Sequence, residues 1–361
     1  VYLPQNEGID ECKLIVESSD LDTPVFPVPL RGEGTWDTEN TDYFTQISGK
    51  KVDLLFVIDE SASMCGEQDN LADNFDYLMD KAAQWDNDYQ IAITTTNVTD
   101  EEYVGKFFGE PRIIDKTTVA SFGPNVTDIG CGGSGTQESG LEGGRRAITA
   151  PLATDTGIPC SSDANCSDGN LCVKGICGGY NRGFLRSDAA LEVIMVSDEE
   201  DQSPGSVPFY IDFFKSIKGF LNEDMMHVHA IVGDKNGGCG NSDEGADAGK
   251  RYIDVQEATG GEFGSICDKS FAVILEKIGN KAFGLQKQFF LSAQADGSPG
   301  SILVWVDSGA GYQPCTTGWE YQSNTNSVVF DPNGNCMPQP TNEIKIWYKM
   351  VCNNENTVSC N

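Results

Sequence analysis

Apolar residues fall along this chain in two rhythms. Between about residues 51 and 285, short and nearly continuous apolar runs alternate with segments whose apolar positions recur every three or four residues. "VDLLFVID" (52–59) reads as a strand buried on both faces, and Leu71, Phe75, Leu78, Met79 and Ala82 predict one helix over 69–85. "YQIAITTTNV" (89–98) predicts a second strand and "PRIID" (111–115) a third, weaker one. "SGLEGGRRAITA" (139–150) reads as a helix in spite of its glycines, and "LEVIMVSDEED" (191–201) as a buried strand breaking directly into carboxylates. "PFYIDFFKSIKGFL" (208–221), "MMHVHAIVGD" (225–234), "KRYIDVQEATGG" and "FAVILEKIGNKAF" (271–283) complete the alternation as helix, strand, helix and helix. Strands buried on both sides and separated by helices imply α/β: a doubly wound, mostly parallel sheet.

The flanks alternate with period two instead. "KLIVESS" (13–19), "SILVWVDS" (301–308), "SVVFD" (327–331) and "EIKIWYKMVC" (343–352) read as antiparallel strands with one solvated face. Fifty residues are thin for a core of their own. Residues 1–50 plus 286–361 are therefore expected to form one β-sandwich-like domain from both chain ends, with an α/β domain at 51–285 inserted in it. A separate domain at each end is the alternative. Inside the α/β region, "CSSDANCSDGNLCVKGIC" (160–177) is too short to bury a core and predicts a small knob stapled by two disulfides. Zinc is the rival there, at spacings longer than a zinc pair uses.

Composition narrows the function classes. The chain has 361 residues, with 55 Asp and Glu against 24 Lys and Arg, a formal charge of −31. Such a chain lacks the cationic footprint of a nucleic-acid-binding protein and does not favour anionic membranes. Thirteen cysteines point to an oxidising, extracytoplasmic compartment. The chain starts at Val1, so a removed leader is expected before it, and no run is long enough to span a membrane. Asn97, Asn125 and Asn165 open N-x-S/T triplets.

The chemistry gathers where strands end. Asp59, Ser61 and Ser63 follow the first strand at alternate positions, which share one side of an extended segment. A helix cap needs one such oxygen, not three in phase. Asp198 follows "EVIMVS" in the same way, and in open parallel sheets ligands bind at the carboxyl ends of strands where strand order reverses. Glu199, Glu200 and Asp201 read as a solvated run. Neutral hydroxyls beside two carboxylates suit a hard cation that takes oxygen ligands.

"DESAS" matches the D-x-S-x-S signature of the von Willebrand factor A domain, which the integrin I domains share, and the order of elements over 51–285 resembles that family throughout. The resemblance implies a metal-ion-dependent adhesion site: Asp59, Ser61 and Ser63, a threonine from a second loop and an aspartate after a later strand. The aspartate is then Asp198. The threonine is Thr136 in "CGGSGTQESGLEGG", with Thr127 as fallback. It implies Mg2+, with Mn2+ or Ca2+ as substitutes, binding without turnover, and a partner that supplies a carboxylate. Moving the direct metal bond from one Asp to the other, biased by a shift of the last helix, would make a two-state switch. "SMCGEQDNLADNF" and "IAITTTN" are similar to exported A-domain adhesin-type proteins of Gram-negative bacteria, which implies a secreted or cell-surface protein, there associated with the outer membrane.

Other features carry less. His227 and His229 share one side of a strand and could ligate a metal, but they lie within an apolar strand and read as core packing. "DKNGGCGNSDEGAD" (234–247) lacks EF-hand spacing and reads as a solvated loop. There is no G-x-S-x-G, H-E-x-x-H or P-loop, so a hydrolase has little support. Connectivity of the cysteines does not follow from spacing. Placement along the chain suggests Cys65–Cys131 clamping the two site loops, Cys239–Cys267, Cys160–Cys172, Cys166–Cys177, Cys315–Cys336 and Cys352–Cys360, with Cys12 left over. Two functions stand: an adhesin for a protein or glycan carrying an acidic group, or a structural subunit of a surface assembly that self-associates.

Overall fold

A computed structural model describes residues 8–17, 25–34, 38–46, 50–84, 87–100, 104–132, 138–219, 225–241 and 244–351. Two compact units result, Ile47–Gly284 and a second composed of Val1–Gln46 with Leu285–Asn361. The chain opens with β1 (Gly8–Glu17), β2 (Val25–Gly34) and β3 (Glu39–Thr45). The middle unit follows with β4 (Lys51–Ile58), α1 (Cys65–Asp73), α2 (Phe75–Gln84), β5 (Asp88–Thr95), α3 (Phe122–Ile129) and α4 (Gly140–Ala147). It runs on through β6 (Asp155–Pro159), β7 (Leu171–Val173), β8 (Ile176–Gly178), β9 (Ala190–Ser197), α5 (Val207–Ser216) and β10 (Met226–Val232). It ends with β11 (Cys239–Asn241), β12 (Glu244–Ala246), α6 (Lys250–Thr259), β13 (Phe263–Ser265) and α7 (Ala272–Phe283). The chain closes with β14 (Gln288–Phe290), β15 (Ile302–Asp307), β16 (Gln313–Cys315), β17 (Trp319–Gln322), β18 (Ser327–Phe330) and β19 (Glu343–Lys349).

The middle unit is a doubly wound α/β fold. Its sheet has the order β13-β10-β9-β4-β5, and every pairing in it is parallel. Seven of the eight β4 residues are buried, because helices cover both faces. Leu54, Phe56 and Ile58 pack with residues of α1, α2, α3 and α7, such as Leu71, Leu78, Phe122 and Leu275. Leu55 and Val57 pack with residues of α4, α5 and α6, such as Leu141, Phe214 and Tyr252. From β4 the chain proceeds first to β5 on one side and then to β9 on the other. The order therefore reverses between β4 and β9, the place where such sheets open a crevice.

Local rules account for the departures from the sequence pattern. The single helix expected over 69–85 is two helices. Asn74 ends the first by turning its amide onto the Asn70 carbonyl at 2.8 Å, the competition that makes Asn a poor helix-interior residue. The strand expected at 111–115 shrinks to a bridge between Ile114 and Ile91, because Asp115 folds the chain into a turn by accepting the Thr117 N–H at 2.8 Å. The glycines of α4 have a packing reason. A Cβ on Gly143 would lie 2.7 Å from the Thr95 carbonyl oxygen, so glycine lets the helix sit directly on the sheet. The sequence "DKNGGCGNSDEGAD" is no open loop: Cys239–Asn241 pairs with Glu244–Ala246, and Cys239 is bonded to Cys267. Asn97 and Asn125 are buried, which removes them as glycan acceptors in the folded chain, whereas Asn165 lies on the exposed knob.

The knob is the three-stranded sheet β6-β8-β7 with almost no apolar core, held by Cys160–Cys172 and Cys166–Cys177. In the other unit, a three-stranded antiparallel sheet (β14-β18-β17) and a four-stranded one (β16-β15-β19-β3) share one core. Phe289, Val328 and Phe330 of the first meet Val304, Ile344 and Ile346 of the second, which makes a β-sandwich. Cys315–Cys336 ties its loops. β1 pairs with β2 along all ten of its residues. The sequence pattern missed β2 because Pro27 and Pro29 remove ladder donors from it. The pairing Cys352–Cys360 lies outside the described residues, as does the side chain of Cys12.

Candidate metal centre

β4 and β9 are in register such that Ile58 lies opposite Val196, and the Asp59 N–H donates to the Val196 carbonyl at 3.0 Å. Asp59 and Asp198 therefore leave the sheet side by side at the switch point. Asp59 is fully buried. Its Oδ1 accepts the Ser61 N–H at 2.8 Å and its Oδ2 the Ser197 hydroxyl at 2.7 Å, so both oxygens are fixed in direction. Ser61 and Ser63 converge, but by a tighter route than the extended segment expected from their alternation. A 3-10 turn at Ala62–Met64 brings their hydroxyl oxygens to 3.0 Å. Ser61 makes no side-chain cap there, so the hydroxyls are not occupied in capping. Asp198 is half-buried, and its Oδ1 is enclosed without a hydrogen-bond partner.

The second site loop is tied to the same rim. Cys65 is bonded to Cys131, and the Gln68 amide donates to the carbonyls of both Asp59 and Gly130 at 3.0 Å. Thr136 falls in 133–137, outside the described residues. Thr127, the fallback, is excluded: it is exposed on α3 with its hydroxyl turned back to the Gly123 carbonyl at 3.2 Å. Directly after the undescribed segment, Glu138 is buried, accepts the Thr96 hydroxyl, bridges Asn97, and gives its carbonyl to the Gln202 N–H. Ser139 donates its N–H to the Thr96 carbonyl at 2.9 Å. Glu138 and Ser139 are thereby held beside the ends of β5 and β9.

The expectation of a solvated run after Asp198 is corrected for two residues. Asp201 is buried, pairs with Arg251 at 2.8 Å and accepts the Leu141 N–H at 3.1 Å, while Ser203 accepts the Glu142 N–H at 2.9 Å. Together they satisfy the first free donors of α4. Glu200 does the same for α6 by accepting from Lys250 and Arg251. His227 and His229 are neither apolar packing nor free ligands. Both reach the buried Glu192, at 3.1 Å and 2.8 Å. The Glu262 N–H donates to His229 Nδ1 at 2.9 Å, so the ring proton sits on Nε2 and faces the carboxylate. Burial keeps His229 below its ordinary pKa. Burial also opposes ionisation of Glu192, but the two imidazoles outweigh it and hold the carboxyl below its usual range.

Electrostatically, the rim is strained. Glu60, Glu138, Asp198 and Glu199 all have raised pKa values, each chiefly through burial, with the negative charge of Asp59 adding to it. Glu138 is pushed up to about 8. The Glu60 carboxyl is buried beside Asp59, and contacts with the Asn97 and Thr95 side chains only partly offset that. A divalent cation is the species that such a set stabilises. The Ser61–Ser63 separation also fits: adjacent ligands of an octahedral ion about 2.1 Å from each oxygen lie roughly 3.0 Å apart. Among the described residues no trio of carboxylates or imidazoles is close enough to hold an ion alone. The one trio that qualifies by distance, Cys160, Cys166 and Cys177, is spent in disulfides. An ion at this rim thus depends on hydroxyls.

Glu60, Gln68, Thr96, Glu138 and Ser197 were not singled out from the sequence. Glu138 stands two positions after Thr136, and Glu60 lies inside "DESAS", which are the only local signals either gives.

No protein-family model matches the chain, and no characterised relative matches it by sequence. Among solved structures it is similar to a von Willebrand factor type A protein from Catenulispora acidiphila, at 13% identity and a TM-score of 0.37, covering 97% of this chain and 67% of that one. It is also similar to proximal thread matrix protein 1 from the mussel byssus (11% identity, TM-score 0.37, 69% of this chain and 51% of that one). A third likeness is to the pilus adhesin SpaC from Lactobacillus rhamnosus GG (14% identity, TM-score 0.33), covering 99% of this chain and 44% of that one. The chain spans about half the length of the last two. The parallel sheet, its order and its two helical layers give the middle unit a von Willebrand factor A-like fold.

Proposed function

We propose that this chain is an extracytoplasmic binding protein that recognises an acidic group on a protein or glycan through Mg2+, held by Asp59, Ser61, Ser63, Thr136 and Asp198. The observation that carries the reading is the enclosed, partnerless Asp198 Oδ1 beside the Asp59 carboxylate and the Ser61–Ser63 hydroxyl pair. The residues divide the work. Ser197 and the Ser61 N–H orient Asp59, the hydroxyls contribute neutral oxygens, and Cys65–Cys131 with Gln68 keeps the two loops in place. Few charged ligands leave a bound ion electron-poor, and the chemistry it supplies is one further coordination position for a carboxylate. Five disulfides among the described residues support an oxidising compartment, and no helix there is long and apolar enough to cross a membrane.

The test is calorimetric titration of the full chain with MgCl2 and MnCl2, together with adhesion to a mucin-coated surface with and without EDTA. Wild type is expected to take up one ion per chain. Asp59→Ala is expected to lose uptake and adhesion while keeping its circular dichroism. No heat from either ion, or adhesion indifferent to EDTA, rejects the reading. Mg2+-dependent self-association in sedimentation, without adhesion, would favour a structural subunit instead.

A further inference from the structure

The four-stranded sheet of the sandwich unit has two unlike faces. Strand alternation turns Ile302, Val304, Ile344, Ile346 and Tyr348 into the core, and solvated polar residues are the ordinary occupants of the opposite positions. Here those positions carry Tyr43, Leu303, Trp305 and Trp347 around Lys345. The register places Tyr43, Lys345 and Trp305 in one row across three strands, and Thr41, Trp347 and Leu303 in the next. Tyr43 is 64% exposed and Leu303 44%, and the two indoles are partly exposed. The Lys345 ammonium lies 5.0 Å from the centre of the Trp305 ring, and Trp347 Nε1 donates to Glu39 at 3.2 Å. Nothing in the metal centre uses these groups.

We propose that this face is a binding site for neutral carbohydrate, with sugar rings stacked on Tyr43, Trp305 and Trp347. Two observations choose this occupant. The first is area: three partly exposed rings and Leu303 offer roughly 300 Å², well under the ~800 Å² per partner of a stable protein interface. The second is charge. A second copy would bring another −31 against this one, and like charge of that size opposes association. The face itself carries Lys345 and Lys349 against Glu39, Glu343 and Asp307, a slight negative excess with no cationic patch, so it does not select a polyanion. A sugar ring has the matching chemistry: an apolar C–H face for an aromatic plane, and hydroxyls at its edge for Lys345 and Glu39. Adjacent strands are ~4.8 Å apart, so Tyr43 and Trp305 stand about 10 Å apart, a span that an oligosaccharide can bridge.

The experiment is native affinity electrophoresis of the full chain through gels containing dextran, mannan, xylan or a soluble β-glucan, with heparin as the anionic control. EDTA is present throughout, so that failure of the metal centre does not bear on the result. At least one neutral polysaccharide should retard wild type and heparin should not. Tyr43→Ala, a change at an exposed side chain, should weaken retardation at least tenfold, and Trp305→Ala with an unchanged melting curve should do the same. No retardation by any neutral polysaccharide overturns the proposal, as does retardation that Tyr43→Ala leaves intact. Sedimentation showing a dimer that Tyr43→Ala dissociates would assign the face to a second copy and overturn it equally.

Discussion

Gly143→Ala pits two opposing effects against each other at the helix that follows the second site loop. In a solvated helix the change would stabilise by about 1 kcal/mol, because alanine loses less backbone entropy than glycine. Here the new Cβ would stand 2.7 Å from the Thr95 carbonyl oxygen, about 0.7 Å inside ordinary contact. The obstacle is backbone at the end of β5, paired to β4, and cannot rotate aside as a side chain would, so α4 must lift from the sheet. Overpacking costs about 1–3 kcal/mol, and against unyielding backbone the upper part of that range, about 2–3 kcal/mol, applies. The clash wins, and a net loss of about 1–2 kcal/mol is expected, a fall in melting temperature of roughly 3–6 °C for a unit this size. The assay is thermal unfolding followed by far-ultraviolet circular dichroism, with Gly66→Ala as control. Gly66 is also helical and exposed, with nothing within 4 Å of its Cβ position, so that variant should melt at or slightly above wild type. Because Glu138 and Ser139 lead directly into α4, the same variant should also weaken the proposed Mg2+ binding. A Gly143→Ala protein that melts as high as wild type would refute the seating of α4 on Thr95.

Two further outcomes can be read from the same unit. Burial would raise Glu142, but bonds from Arg145 and Arg146 at 2.7–2.8 Å override it and hold the carboxyl at about 2. A lowered folded-state pKa means stability present above the ordinary value of 4.5 and lost as pH falls towards 2. Since the arginines are partly exposed, about 1–2 kcal/mol is expected, and Glu142→Gln should flatten the acid limb of stability against pH between those limits. Replacing both Cys65 and Cys131 by alanine opens a closure of 66 residues, a loss of up to about 4 kcal/mol by chain entropy, read in urea unfolding under oxidising conditions. A loss below ~1 kcal/mol would mean that Gln68 alone holds the two loops together.

How much was legible follows from how far apart the deciding residues lie. Asp59 and Asp198 could be found because each directly follows a run of buried residues, and the end of a parallel strand is a known place for ligands. The serines could be named, but not the turn that joins them, since alternation suggests an extended segment and a 3-10 turn obeys a different period. Asp201 looked solvated because its partner Arg251 stands 50 residues away. Glu138 gave no sign of burial, which depends on Thr96, 42 residues earlier. His229 was read as packing because Glu192, its partner, belongs to a neighbouring strand.

By itself the sequence determined the alternation of strands and helices over the middle of the chain, the period-two strands on either side, and the oxygen-bearing residues at two strand ends. Those are properties of short windows, and hydrophobic burial reads them directly. Tertiary structure alone decided which carboxylates share a rim, which oxygen is left without a partner, and which side of "EIKIWYK" meets water. These depend on closing loops over tens of residues, where pairing energies far from one another in sequence compete, and no local period records the outcome.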